Sequence, residues 1–465
     1  MSLSVYQLYD MLPDMRPRKA DLKVGTTDGD RGDRNGENRD GGDRVGHGGT
    51  RSAGLQAGWL PAGVWLLGAV SLLNDVASEA MYPLLPFFLT TVLGATAVSL
   101  GVIEGAAEAV SSVLKVISGR LSDRWRRRKP IVMFGYSLSA AARPFIGLAG
   151  SWWIVFALRF VDRVGKGIRG APRDAMLADF ADQTNRGKVY GFHRAMDHTG
   201  AVVGPLLATA FLLAFPNRYR TLFALTAIPG LATVVLLLWV RERKADLKVG
   251  TTTGGSASSG TTNVANATMV RSADLQVGLL PPALKRYLIV LSVFTLGNSA
   301  DAFLLLRLTE AAGGPQLIPL FWSVLHVVKM GASLAGGAAS DRVGRRPLIA
   351  AGWIVYAVVY TGFAVSTTMW ALLWWFFVYG IYYGCVEGTE RALVADFARP
   401  AERGTAFGIY NAVSGIGALV SSVAFGLIWN AFGAPAAFAS GAALALAASV
   451  LLFVLVPSPT DNSSI

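Results

Sequence analysis

Charged side chains are scarce in this chain of 465 residues. Asp, Glu, Lys and Arg together make up 15% of it, against about 25% in an average soluble globular domain. Cysteine occurs once, at Cys385, which excludes an intrachain disulfide and leaves no cysteine spacing of the kind that ligates zinc. No glycine-rich nucleotide loop, metal-ligand cluster or serine–histidine arrangement is present, so neither an enzyme nor an ATP-driven pump is expected, and no cofactor. Asp28, Asp30 and Asp33 resemble a calcium loop, but the required glycine and terminal glutamate are missing, so no metal is expected there. Alternating segments of about ten residues, the mark of a membrane β-barrel, are absent. No secretory signal is visible, because the first ~55 residues are polar.

What the chain has instead is apolar bulk. Hydrophobic residues make up 52%, and they come in blocks of about 20 or more, the length a helix needs to cross ~30 Å of hydrocarbon. The fold class expected is an all-α membrane protein with twelve transmembrane helices in two six-helix bundles related by pseudo-symmetry. The helices are placed near 62–92, 97–120, 130–150, 152–172, 189–215, 220–240, 284–310, 315–338, 347–366, 369–393, 405–431 and 434–457. Pro83 and Pro86 should kink or end the first helix, and Pro205 should bend the fifth. Residues 1–58 are too polar to bury a core and read as a disordered tail. Residues 59–240 form one bundle, 241–283 a linker, 284–457 the second bundle and 458–465 a short tail. Lys19–Thr27 recurs letter for letter as Lys244–Thr252, and Arg51–Gly58 recurs with two changes as Arg271–Gly278. Their near identity exceeds that of the two bundles and reads as inserted repetitive linker.

The net charge of +12 would suggest nucleic acid in a soluble protein. Here it falls in alternate loops, where basic residues hold a loop on the cytoplasmic side. The turn at 120–130 holds six Lys or Arg, and that at 341–346 three. Both termini and the linker are therefore expected in the cytoplasm, with the chain in a bacterial inner membrane. The halves align: Ala178-Asp179-Phe180-Ala181 returns as Ala395-Asp396-Phe397-Ala398, Arg186-Gly187 as Arg403-Gly404, and Gly200-Ala201 as Gly417-Ala418. An even number of spans between copies gives parallel repeats.

With these motifs in hand, residues 59–457 resemble the major facilitator superfamily. The family signature between helices 2 and 3 is matched by Gly119, Asp123, Arg124, Arg127 and Arg128, with Arg126 where the family has glycine. A second copy holds Gly337, Asp341, Arg342, Gly344, Arg345 and Arg346. The resemblance implies a conformational latch, its aspartates pairing with basic groups between the halves. Gly200, Gly204 and Pro205 on helix 5 are similar to a motif of proton-coupled exporters in the family.

An ionisable group at mid-membrane costs ~3 kcal/mol or more, so each is a functional candidate. Asp75 and Glu79 lie one turn apart on helix 1, as do Glu104 and Glu108 on helix 2. Arg143 sits in helix 3. Arg159, Asp162, Arg163, Lys166 and Arg169 form one stripe of helix 4, and Arg194, Asp197 and His198 share a face of helix 5. Asp301, His326, Lys329 and Glu387 follow in the second half. Arg169, Arg173 and Asp174 read as near the cytoplasmic surface, with Glu390 and Arg391 as their counterparts in an interfacial salt bridge. The resemblance implies that helices 1, 4, 7 and 10 line the cavity, which puts Asp75, Glu79, Arg159, Asp162, Arg163, Asp301 and Glu387 nearest the path. Asp75 or Asp301 is the expected proton carrier, with Arg163 as its modulator. The expected partners are a small-molecule substrate, protons and the bilayer, with no nucleic acid and a monomeric state. The expected function is proton-driven export of a small polar or amphiphilic solute; uptake of an organic anion and a non-translocating sensor are the alternatives.

Overall fold

The computed structural model describes residues 60–125, 127–180, 186–242, 280–398 and 403–457. Residues 1–58, nearly all of the 241–283 linker with its repeated segments, and residues 458–465 lie outside the described residues. The described chain is helical, and its helices join into rods that we number α1 to α12. They are α1 (Ala62–Met81, continuing to Val92), α2 (Ala97–Trp125), α3 (Lys129–Phe145), α4 (Trp152–Asp179), α5 (Arg186–Ala214) and α6 (Tyr219–Leu225 and Ala227–Trp239). In the second half they are α7 (Pro282–Gly297 and Ala302–Ala312), α8 (Ile318–Val343), α9 (Arg345–Val365), α10 (Met369–Phe397), α11 (Arg403–Phe432) and α12 (Ala434–Leu455). Among the described residues, ten rods are long and apolar enough to cross a membrane. The other two are α4 and α8. Both are long, at 28 and 26 residues, but α4 carries too much charge, and only Ile318–Ser333 of α8 is apolar.

Proline chemistry shapes α1 as the sequence suggests. Pro83 and Pro86 have no N–H to donate, and from Tyr82 onward the regular helix gives way to a 3-10 turn and then to a π turn over Phe88–Val92. Pro205 does not interrupt α5, which runs through it. Four boundaries differ from the sequence reading for one reason. Helices α2, α4, α8 and α10 run past their apolar stretches into charged turns, where hydropathy no longer marks the helix end. A further difference is the break in α7 between Gly297 and Ala302, placed by sequence inside one continuous helix. Irregular backbone at membrane depth is tolerated where protein or a cavity covers it. Here the Ser422 hydroxyl takes up the Ala300 N–H at 3.2 Å, and Tyr356 donates to the Gly297 carbonyl at 3.0 Å.

The packing repeats itself. In the first half α1 lies against α5 and α6, α4 against α2 and α3, and α3 against α6. In the second half α7 lies against α11 and α12, α10 against α8 and α9, and α9 against α12. The halves meet along α2 with α11 and along α5 with α8, two contacts that the same symmetry exchanges. Small residues make the α2–α11 seam close. A methyl added at Gly415 would fall 2.7 Å from the Ser112 Cβ, and one at Gly426 would fall 2.6 Å from the Ala97 carbonyl. At the end opposite the basic turns, the broken end of α1 also touches α7 and α8.

Candidate functional site

Charges that the sequence spreads over three helices meet inside the first half. Arg159 on α4 donates Nη2 to both carboxylate oxygens of Glu104 on α2, at 2.8 and 2.9 Å. Asp162, one turn along α4, accepts from Arg143 of α3 at 2.9 Å and from Arg159 at 3.5 Å. Arg143 passes the network to α1, donating at 3.1 Å to both the carbonyl and the side-chain oxygen of Asn74. Arg169 donates to Ser139 at 2.6 Å and to Asn74 at 3.3 Å, with its guanidinium 4.5 Å from the centre of the Tyr136 ring. All five charged groups are buried. Burying ions costs several kcal/mol each, and the cost is offset only where each donor and acceptor is matched. These residues are matched to one another, so the arrangement locks α1 to α4 in register. Arg169, placed near the surface by sequence, is a member of this buried lattice.

A second set faces outward from the lattice. Asp75 on α1 is half-buried and accepts from Asn74 Nδ2 at 2.9 Å. No ion pair holds it among the described residues. The charged groups around it are Asp197, Glu79 and Lys166. Asp197 in turn accepts from the Ser71 hydroxyl and lies 3.5 Å from His193 and 4.0 Å from Arg194. Arg163, the expected modulator of Asp75, instead approaches Asp162, at 3.9 Å; Lys166 is the cation that faces Asp75. Glu108 is exposed, with Lys115, Lys166 and Arg163 around it.

The second half presents its own acid. Asp301 sits at the break in α7 and accepts from Tyr379 at 2.8 Å and from Tyr383 at 3.0 and 3.1 Å. Lys329 of α8 stands 3.4 Å from the same carboxylate. Tyr379 and Tyr383 are four residues apart on α10, so they share one helix face. Glu390, read from sequence as an interfacial ion-pair partner, takes its hydrogen bonds from neutral donors, the Trp353 indole at 3.2 Å and Tyr410 at 2.8 Å.

Two contacts connect the sets across the halves. Glu79 on α1 accepts from the Trp322 indole of α8 at 2.9 Å, with His326 Nε2 at 4.0 Å. Arg194 on α5 lies 3.8 Å from Glu387 on α10. Asn74, Trp322, Tyr379 and Tyr383 were missed by sequence reasoning, which followed charge. The i, i+4 spacing of the two tyrosines beside an intramembrane acid was the available signal.

Among the described residues, three of the signature arginines bond within their own halves, Arg346 to the Phe453 carbonyl. Arg128 bonds the Asp179 carboxylate and the Ala175 carbonyl; Arg345 bonds Asp396 and the Ala392 carbonyl. Arg127 and Arg342 are exposed. Gly344 has a φ of 91°, the left-handed region that glycine tolerates, at the tight turn into α9. The side chains of Asp123, Arg124 and Asp341, and the surroundings of Gly337, lie outside what is described; Gly119 packs on Ala171. In the helix-5 motif, a methyl at Gly200 would meet the Leu72 carbonyl at 2.5 Å, and one at Gly204 the Val76 carbonyl at 2.6 Å. The motif seats α5 on α1, beside Asp75. Among the described residues no group of three or more His, Cys, Asp or Glu is placed to hold a metal ion.

Comparison with known proteins agrees with this architecture. The family model of the Major Facilitator Superfamily matches residues 67–338 and 327–464. An uncharacterized MFS-type transporter of Methanocaldococcus jannaschii is 31% identical over 404 residues, covering 85% of this chain and 95% of the relative. A multidrug resistance protein, MdtH, of Salmonella arizonae is 25% identical over 160 residues, 34% of this chain and 39% of that one. Among solved structures, the nucleoside transporter NupG superposes with a TM-score of 0.66 at 13% identity, over 85% of this chain and 99% of that one.

Proposed function

Given that this chain belongs to the major facilitator superfamily of membrane transporters, we propose that it exports a small polar or amphiphilic solute in exchange for protons. The observation that carries the reading is the group around Asp75. Three carboxyl groups, Asp75, Glu79 and Asp197, gather near the seam of the halves, and Asp75 has no ion-pair partner among the described residues. Carboxylates crowded in a low-dielectric site reduce their repulsion by sharing protons. Such a group is a natural proton carrier, and Glu79 links it to the second half through Trp322.

Alternating access supplies the movement. Residues 59–240 and 284–457 rock as two bodies about the α2–α11 and α5–α8 seams. The contacts of α1 with α7 and α8 close one end, and the Arg194–Glu387 pair is the contact that breaks and reforms at the other. The basic turns face the cytoplasm, as do both termini, in the inner membrane of a bacterium. Export is favoured over uptake by the partial likeness to a multidrug resistance protein and by the Gly200, Gly204 and Pro205 motif.

The test is transport in liposomes carrying purified protein and an acidic lumen. Addition of a transported solute to the medium should draw it inward and alkalinise the lumen. If a broad solute panel, organic anions included, leaves luminal pH unchanged, proton exchange is lost. A second reading, uptake of an organic anion, draws on Lys115, Lys166 and Arg163 around Glu108. It predicts that an anion moves together with the proton rather than against it.

A further inference from the structure

We propose that a pocket between α7, α10 and α11 binds the cationic head of an organic ammonium compound, which makes such compounds the transported class; this deepens the export reading and rests on it. The pocket has a volume of about 180 Å³. Its walls include Phe294, Tyr382, Tyr383 and Tyr410, and it holds two carboxylates, Glu387 and Glu390. Aromatic faces carry negative electrostatic potential and attract a cation, more strongly where water is excluded. Two carboxylates face this space against one guanidinium, that of Arg391, so the lining favours a cation over an anion.

The carboxylates are prepared for this role in different ways. Glu390 is buried, and the Trp353 indole N–H and the Tyr410 hydroxyl each bond one of its oxygens, at 3.2 and 2.8 Å. Both donors are neutral, so they orient the carboxylate without pairing a cation to it. Trp353 is itself stacked on Phe294, with ring centres 4.6 Å apart, which fixes the wall. Arg391 lines the pocket too, but it is exposed and forms no ion pair with Glu390 among the described residues. Glu387 is two-fifths exposed and lies 3.8 Å from Arg194 of the first half. A ligand ammonium at Glu387 therefore competes with the ion pair that joins the halves, coupling occupancy to their separation. The volume suits an ammonium head with a few carbons and falls below the roughly 300–1,000 Å³ of a drug-sized site. The remainder of a larger molecule extends past Tyr383, which also bonds Asp301.

The experiment is calorimetric titration of the purified full-length protein with phenyltrimethylammonium, and in parallel with choline and its neutral isostere 3,3-dimethyl-1-butanol. The two ammonium compounds are expected to bind and the alcohol not. Glu387→Gln and Tyr410→Phe should each weaken binding, and Glu390→Gln should weaken it about tenfold or more, as loss of a charge partner in an aromatic site implies. Glu387 is the safeguard if the buried variant fails to fold, because its side chain is partly exposed. Absence of ammonium binding, equal binding of the alcohol, or unchanged affinity in Glu387→Gln overturns the proposal. The measurement uses no gradient, so it separates the two ideas. Binding without movement in liposomes sinks export and keeps the pocket, whereas movement of other solutes without ammonium binding does the reverse.

Discussion

Lys329 stands 3.4 Å from the Asp301 carboxylate and 3.6 Å from the centre of the Tyr383 ring. One ammonium thus serves an acid at a helix break and an aromatic face of α10. Removing a single partner of such a pair leaves an uncompensated charge, which costs more than removing both. Asp301→Asn and Lys329→Met should each lower the thermal unfolding temperature and abolish transport. The double variant should regain much of the lost stability while staying inactive. Thermal unfolding of the purified proteins checks this.

Asp75 faces Lys166 but makes no ion pair with it or with any other cation among the described residues, so its replacement should spare the fold. Asp75→Asn is expected to keep stability near wild type and keep gradient-free solute exchange within about twofold. Transport driven by a pH gradient should fall about tenfold or more, because the step that requires a proton loses its carrier. Parallel exchange and pH-jump assays in liposomes distinguish this from a general loss of activity.

The Glu104–Arg159–Asp162–Arg143 lattice calls for the opposite outcome. Arg143→Ala removes the shorter buried donor of both Asp162 and Asn74, leaving them only Arg159 at 3.5 Å and Arg169 at 3.3 Å, and a loss of about 3–5 kcal/mol is expected for breaking a buried network from one side. Expression and unfolding temperature should both drop. An Arg143→Ala protein as stable as wild type would refute the structural role.

Two glycines on α5 offer a paired test of the α1 contact. A methyl at Gly204 would fall 2.6 Å from the Val76 carbonyl, whereas nothing lies within 4 Å of one at Gly191. Gly204→Val should destabilise strongly by forcing the backbones apart. Gly191→Ala should be neutral or slightly stabilising, since alanine favours helix by up to about 1 kcal/mol over glycine. Unfolding temperatures of the two variants provide the comparison.

Arg128–Asp179 and Arg345–Asp396 are only partly buried. Pairs of this kind contribute about 1 kcal/mol or less. Asp179→Asn and Asp396→Asn should therefore leave the unfolding temperature nearly unchanged. Transport rates should fall in both variants if the pairs hold the ends of α3 and α9 against α4 and α10 during rocking.

Much of this was legible before any coordinates. Apolar length and alternate basic turns marked the helices, and Ala178–Ala181 with Ala395–Ala398 marked the repeat. The Arg128–Asp179 and Arg345–Asp396 bonds, spaced alike in both halves, show why those letters recur together. Partner choice among the intramembrane charges was not legible. Helical periodicity puts Arg159, Asp162, Arg163, Lys166 and Arg169 on one stripe, yet α1, α2 and α3 each take a different part of it. That division depends on which neighbour covers each turn of α4, and one sequence does not contain this information. The break in α7 escaped for a related reason: its stabilising partners, Ser422 and Tyr356, lie far away in the chain.

The central claim, that the acids at the seam exchange protons for solute, is tested most directly by proton release from purified protein in weakly buffered detergent. Adding phenyltrimethylammonium, or the solute identified by the liposome panel, should release protons from the wild type, with the release largely lost in Asp75→Asn. Solute that binds with no proton released, or with equal release from both proteins, would contradict the account.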